Sequence, residues 1–192
     1  MVTARPLSPA HFDDLYRAIQ ALPEHLTGEI IEPGEIRAMT RPGNKHRRAH
    51  ERCMAALAGL NRHYTDGTGW WIEHEPALRL SNKYLLVPDL AGWRVERVPR
   101  LPDENPLTLA PDWVAEILSP STARDDRRLK LPIYAQAGVP WVWLVDPEQE
   151  LVEVFETVAG RPTLVASAHR DNPLELQPFP LPINFERWWS DE

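Results

Sequence analysis

Val87-Pro88-Asp89-Leu90, then after a polar, proline-rich interval Trp113-Val114-Ala115-Glu116-Ile117-Leu118-Ser119-Pro120-Ser121-Thr122, then Asp125-Asp126-Arg127-Arg128-Leu129-Lys130: the reading of the chain turns on residues 87–130. Asp89 and Glu116 each interrupt an apolar run that otherwise reads as a buried strand. An ionised carboxylate in such a place is costly unless a cation or hydrogen-bond donors meet it. Two of them predict a shared cation.

Outward from Glu116, residues 112–119 are apolar on both faces, which predicts a central strand. Ser121 or Thr122 then caps a helix through about residue 137, stopped by Gly138 and Pro140. On it Asp126, Lys130, Ile133 and Ala137 recur at spacings of 4, 3 and 4, so Lys130 projects from the face that packs on the sheet. An i,i+4 pair between Asp126 and Lys130 accounts for the same pattern. Pro132 removes one amide and predicts a kink near Lys130. After this crossover, residues 141–146 read as a buried strand parallel to the Glu116 strand.

Upstream, residues 70–80 and 84–93 predict an antiparallel pair about the turn Ser81-Asn82-Lys83, with Pro76 in the first strand and Pro88-Asp89 in the second. Pro88 breaks the ladder beside Asp89 and frees that carboxylate to face a cavity. Ser8-Pro9 begins a helix over about 9–21 that buries Phe12, Leu15, Tyr16 and Ile19. Residues 26–39 form a hairpin about Pro33-Gly34, and by local pattern Glu29 in it fits a solvent-facing position as well as any other.

A second helix spans about 45–64, with His46, His50, Cys53, Leu57, Leu60 and Tyr64 on one stripe, so the histidines point toward the sheet. Either is read as a hydrogen-bonded structural residue or a site neighbour. Arg41, Lys45, Arg47, Arg48 and Arg52 gather at the start of this helix, as a solvated face or as a surface for a phosphate backbone. Residues 94–111 read as a surface loop, 151–157 and 163–167 as an antiparallel edge, and the tail with Phe179, Phe185, Trp188 and Trp189 docks on the core.

The chain of 192 residues, 43% of them hydrophobic, predicts a single α/β domain over 1–192, a mixed sheet flanked by helices. No apolar run approaches a membrane span and no signal-peptide layout is present, so the expectation is a soluble cytoplasmic protein. The lone Cys53 excludes an internal disulfide and is read as a small core residue. A net charge of −7 disfavours indiscriminate nucleic-acid binding, so any such partner needs a local basic face.

The segment 26–31 with Glu29, Arg41-Pro42 with Lys45-His46, Val87-Pro88-Asp89-Leu90-Ala91-Gly92-Trp93, the run 112–122, Asp126-Arg127 with Lys130, and Trp143-Leu144-Val145-Asp146-Pro147 together resemble the PD-(D/E)XK nuclease superfamily, and within it the Uma-two family of restriction endonucleases. The resemblance implies a restriction-endonuclease-like fold and a Mg2+- or Mn2+-dependent endonuclease that hydrolyses DNA phosphodiester bonds. It implies Asp89, Glu116 and Lys130 as catalytic residues, with the metal held by Asp89, Glu116 and the carbonyl of Ile117. Glu29, His46 and Asp126 become neighbours of the site, and Arg41, Lys45, Arg47 and Arg48 contacts for DNA. The superfamily lysine lies two residues after the acid, where this chain has Leu118, and the carry-over to Lys130 follows the Uma-two relatives. A catalytically inactive nucleic-acid-binding or interaction protein of the same fold, and a metal-dependent hydrolase of another phosphate ester, are the rival readings. Paired sites for double-strand cutting would make the protein a homodimer.

Overall fold

The computed structural model describes residues 9–40, 43–64, 69–169, 175–179 and 189. Helix α1 (Pro9–Gln20) is followed by the hairpin of β1 (Leu26–Glu32) and β2 (Glu35–Thr40), with Gly34 at a positive φ of 92° in the turn. Helix α2 covers Asn44–Leu57. It is shorter than the helix expected over 45–64, because the chain tightens into two 3-10 turns, Ala58–Leu60 and Arg62–Tyr64, around an extended Asn61. The buried Asn61 amide bonds the Ile72 carbonyl at 3.0 Å, which anchors the break.

The strand pair expected over 70–80 and 84–93 is divided. It forms β3 (Trp70–His74), β4 (Leu78–Arg79), β5 (Leu85–Leu86) and β6 (Leu90–Arg94). The pairs His74↔Leu90 and Leu78↔Leu86 keep one register, so this is one hairpin bent in the middle. That register sets Pro76 opposite Pro88. Two residues without an N–H at one level interrupt the ladder from both sides, and the two halves enter different sheets.

Strand β7 (Trp113–Ile117) leads to a short helix α3 (Ala123–Asp125), a π-helical turn Asp126–Lys130, and α4 (Leu131–Gln136). The Leu131 N–H bonds the Asp126 carbonyl, five residues back, so the expected kink beside Pro132 takes the form of a π turn. Thr122 makes no side-chain cap bond; its hydroxyl accepts the Ser119 N–H at 3.3 Å instead. Strands β8 (Trp141–Asp146), β9 (Leu151–Val158) and β10 (Arg161–His169) complete the order.

The strands form a four-stranded sheet, β2-β1-β5-β4, and a six-stranded sheet, β10-β9-β8-β7-β6-β3, in which β7 and β8 are parallel. This is the expected α/β arrangement, with the strands distributed over two sheets. Trp113, Ala115 and Ile117 share a core with Cys53 and Leu57 of α2, while Val114 and Leu118 on the opposite face share one with Ile133 and Tyr134 of α4. Period-two alternation therefore sends Glu116 to the α4 face. Phe179 docks edge-on against Trp70, Trp113 and Trp143 with ring centroids 4.9 to 5.3 Å apart. Phe185 and Trp188, assigned to the same tail, lie outside the described residues. Among the described residues no helix is long and apolar enough to cross a membrane.

Candidate active site

Pro88 places Asp89 at the bend where one hairpin passes between sheets, and its carboxylate is held at both oxygens. Oδ2 accepts the backbone N–H of Ile117 at 2.6 Å, and Oδ1 lies 3.1 Å from His46 Nε2 at the start of α2. The Asp89 carbonyl accepts the Glu75 N–H at 3.0 Å and sits 3.2 Å from His50 Nε2. Glu75 adopts a positive φ of 47°, uncommon for a residue with a Cβ, which turns the chain at the level of Pro76.

Behind this bend lies a closed charge cluster. Lys130 Nζ is 3.1 Å from Glu29 Oε1, 3.3 Å from Glu116 Oε1 and 3.4 Å from Asp126 Oδ1. All four side chains are buried. Glu29 reaches the cluster from β1, where its Oε1 also accepts the Val87 N–H at 2.7 Å, so the solvent-facing alternative for this residue is overturned. The backbone group left without a ladder partner before Pro88 thereby gains one. Tyr134, one turn beyond Lys130 on α4, donates its hydroxyl to Glu116 Oε1. Sequence reasoning passed over Tyr134, although its position four residues after Lys130 puts both on one helical stripe.

Burial pushes the Glu29, Glu116 and Asp126 carboxyls up, against the pull of Lys130. For Lys130 burial disfavours the charge, yet Glu116, Glu29 and Asp126 together overcome it and hold the ammonium well above its ordinary value. Two oxygens are left over: Glu29 Oε2 is buried with no hydrogen-bond partner, and Asp126 Oδ1 meets Lys130 without hydrogen-bond geometry.

These groups open onto a cleft of about 660 Å³ whose wall includes Glu29, His46, Asp89, Glu116, Ile117, Asp126 and Lys130. The structure thus brings together seven of the residues singled out from sequence. The basic residues of α2 stand elsewhere: Lys45 pairs with Glu148 at 2.9 Å, Arg47 lies 4.0 Å from Glu51, and neither these nor Arg48 lines the cleft. Arg41 lies outside the described residues. Arg37, which sequence reasoning missed, does line the cleft and pairs with Asp125.

Two sheets meeting at a cleft of clustered carboxylates and a lysine define a nuclease-like α/β protein. A crystal structure of a putative nuclease belonging to DUF820 from Anabaena variabilis shares the fold, with a TM-score of 0.69 and 22% identity over 93% of this chain and 97% of that one. Residues 11–186 match the Uma2 family, described as "Putative restriction endonuclease", and the chain belongs to that family. A search of curated proteins returned no match.

Proposed function

We propose that the chain is a metal-dependent endonuclease that hydrolyses DNA phosphodiester bonds at the Asp89–Glu116–Lys130 cleft, with residues 1–192 acting as one domain. The observation that carries this reading is the charge balance of the closed cluster: three buried carboxylates, Glu29, Glu116 and Asp126, surround a single buried ammonium. With Asp89 alongside, the cluster is rich in hard oxygen donors and short of positive charge, which suits Mg2+ or Mn2+. Among the described residues no three His, Cys, Asp or Glu side chains form a metal-holding group. Two carboxylates, Asp89 and Glu116, with the Ile117 carbonyl fit the way Mg2+ is bound, through few protein ligands with water and substrate phosphate supplying the rest. The unpartnered Glu29 Oε2 leaves one more oxygen for water or cation.

Bound there, the cation would supply acidity to an attacking water and stabilise charge developing on the phosphate. The protein's part is positional. His46 and the Ile117 N–H fix both Asp89 oxygens, and Tyr134 and Lys130 fix Glu116. Lys130 also opposes the rise that burial imposes on the Glu116 carboxyl.

Cleavage of supercoiled and single-stranded DNA with Mg2+ or Mn2+, run beside Asp89→Ala, Glu116→Ala and Lys130→Ala, tests the reading. Cutting by the parent and not by the folded variants supports it; variants that cut as well as the parent defeat the site assignment. The second reading, a catalytically inactive nucleic-acid-binding protein, is favoured by the engagement of Lys130 with three carboxylates, and binding of DNA without cutting in either metal would establish it.

A further inference from the structure

We propose that Arg37 is the residue by which this cleft grips a phosphate of the nucleic-acid strand, leaving its partner Asp125 as the phosphate arrives; the inference rests on the nucleic-acid reading above.

Placement comes from strand register. Arg37 lies directly opposite Glu29 in the antiparallel β1–β2 pair, and directly opposed residues project from the same face of a sheet. Glu29 is committed to the Lys130 cluster, so Arg37 faces the site too, and it forms part of the cleft wall. Chemistry then singles it out. Among the described residues the wall carries six carboxylates, Glu29, Glu75, Asp89, Glu116, Asp125 and Asp126, against two cationic side chains, Arg37 and Lys130, apart from the His46 ring. A phosphodiester entering such a cleft is repelled unless a cation stands at its mouth. Lys130 does not serve, because its side chain is 4% exposed and ringed by carboxylates. The Arg37 side chain is 38% exposed, and it is held by Asp125 and, at 3.9 Å, by Glu32, which is half open to solvent.

A guanidinium presents the same planar fork to a phosphate as to a carboxylate. Replacing Asp125 by a phosphate therefore conserves the hydrogen bonding, at the place where α3 turns into the Lys130 segment. Without substrate, the Asp125 pair keeps the Arg37 charge satisfied.

The test is anisotropy of a labelled oligonucleotide, single-stranded and duplex, titrated with Ca2+ present over a series of salt concentrations, beside melting curves for each variant. Arg37→Ala is expected to weaken binding on the order of tenfold and to reduce the slope of log affinity against log salt by about 0.7 to 0.9. Arg37→Lys, which keeps the charge and loses the fork, falls between. Asp125→Asn is expected to tighten binding, and most of that gain disappears in the Arg37→Ala background. If the pair is only a strut between β2 and α3, both single variants weaken binding in step with lost thermal stability and leave the salt slope unchanged, which overturns the inference. A parent that binds while Arg37→Ala binds equally well overturns this inference alone. A parent that binds no oligonucleotide defeats the nucleic-acid reading and this inference with it.

Discussion

Glu29 Oε1 stands 3.1 Å from Lys130 Nζ, and the two side chains are 0% and 4% exposed. Removing one partner of a buried pair leaves an uncompensated charge and costs about 3–5 kcal/mol. Lys130→Met, similar in length and apolar, is expected to lose about that much at neutral pH, because three carboxylates then face one another without the ammonium. Glu29, Glu116 and Asp126 already have raised carboxyl pKa values, chiefly from burial. A carboxyl raised in the folded state contributes stability below its unfolded value that is lost as pH rises through the folded one. The deficit of the variant should therefore shrink toward acid, near the ordinary glutamate value of 4.5, and grow toward neutrality. Urea unfolding at pH 5 and pH 7.5 reads this out, and a deficit independent of pH would count against ionised carboxylates around Lys130.

Tyr134 is wholly buried and gives its hydroxyl to Glu116 Oε1. Tyr134→Phe keeps the ring in its core and deletes one donor, leaving a buried acceptor short of a partner, at a cost of about 1–3 kcal/mol. A larger loss would mean that packing changed as well, which the crystal structure of the variant would reveal. On the proposed chemistry the same change lowers Mn2+ affinity, measured by calorimetry, by roughly 10- to 100-fold.

The charges of this site were legible because each breaks an apolar pattern: Asp89 beside Pro88, Glu116 inside an apolar strand, Lys130 on a helix stripe with Ile133. Their spatial convergence was less so. Glu29 joins through a strand pairing that no local pattern encodes, and Arg37 is recognisable only once its register opposite Glu29 is known. The break at Pro88 was legible in the central hairpin, but its coincidence with Pro76, which bends the whole hairpin, was not drawn from the sequence. Pro76 and Pro88 fall at one level of the expected strand pair, and two missing amides at one level argue for a break there. At the basic start of α2 helical periodicity assigns a face but no partner, and Lys45 on that face pairs with Glu148.

Cys53 packs on the sheet from α2 with no exposed surface, and burial followed by the charge of Asp89 pushes its thiol up. Only the thiolate reacts readily with alkylating agents. Native protein at pH 8 is therefore expected to leave Cys53 unmodified by iodoacetamide over a period in which urea-unfolded protein is fully labelled, as mass spectrometry would record. Rapid labelling of the native state would mean that α2 leaves the sheet easily, and the position of His46 on the same helix would then be in doubt.

Asp89 is gripped at two levels, and the two histidines near it should differ in consequence. His46 Nε2 meets the carboxylate itself at 3.1 Å, whereas His50 Nε2 meets the backbone carbonyl, which the Glu75 N–H holds independently at 3.0 Å. His46→Ala frees one carboxylate oxygen to rotate away from the cleft, and residues that orient a ligand in this way are worth about 10- to 100-fold in metal affinity or activity. His50→Ala removes a duplicated contact, and its effect on Mn2+ affinity should stay below about threefold, within the roughly 0.5 kcal/mol typical of changes away from special features. Calorimetric titration of both variants with Mn2+, beside their melting temperatures, separates orientation from stability. Comparable losses in the two would locate the constraint in the Asp89 backbone, and a larger loss in His50→Ala would reject His46 as the residue that aims the carboxylate.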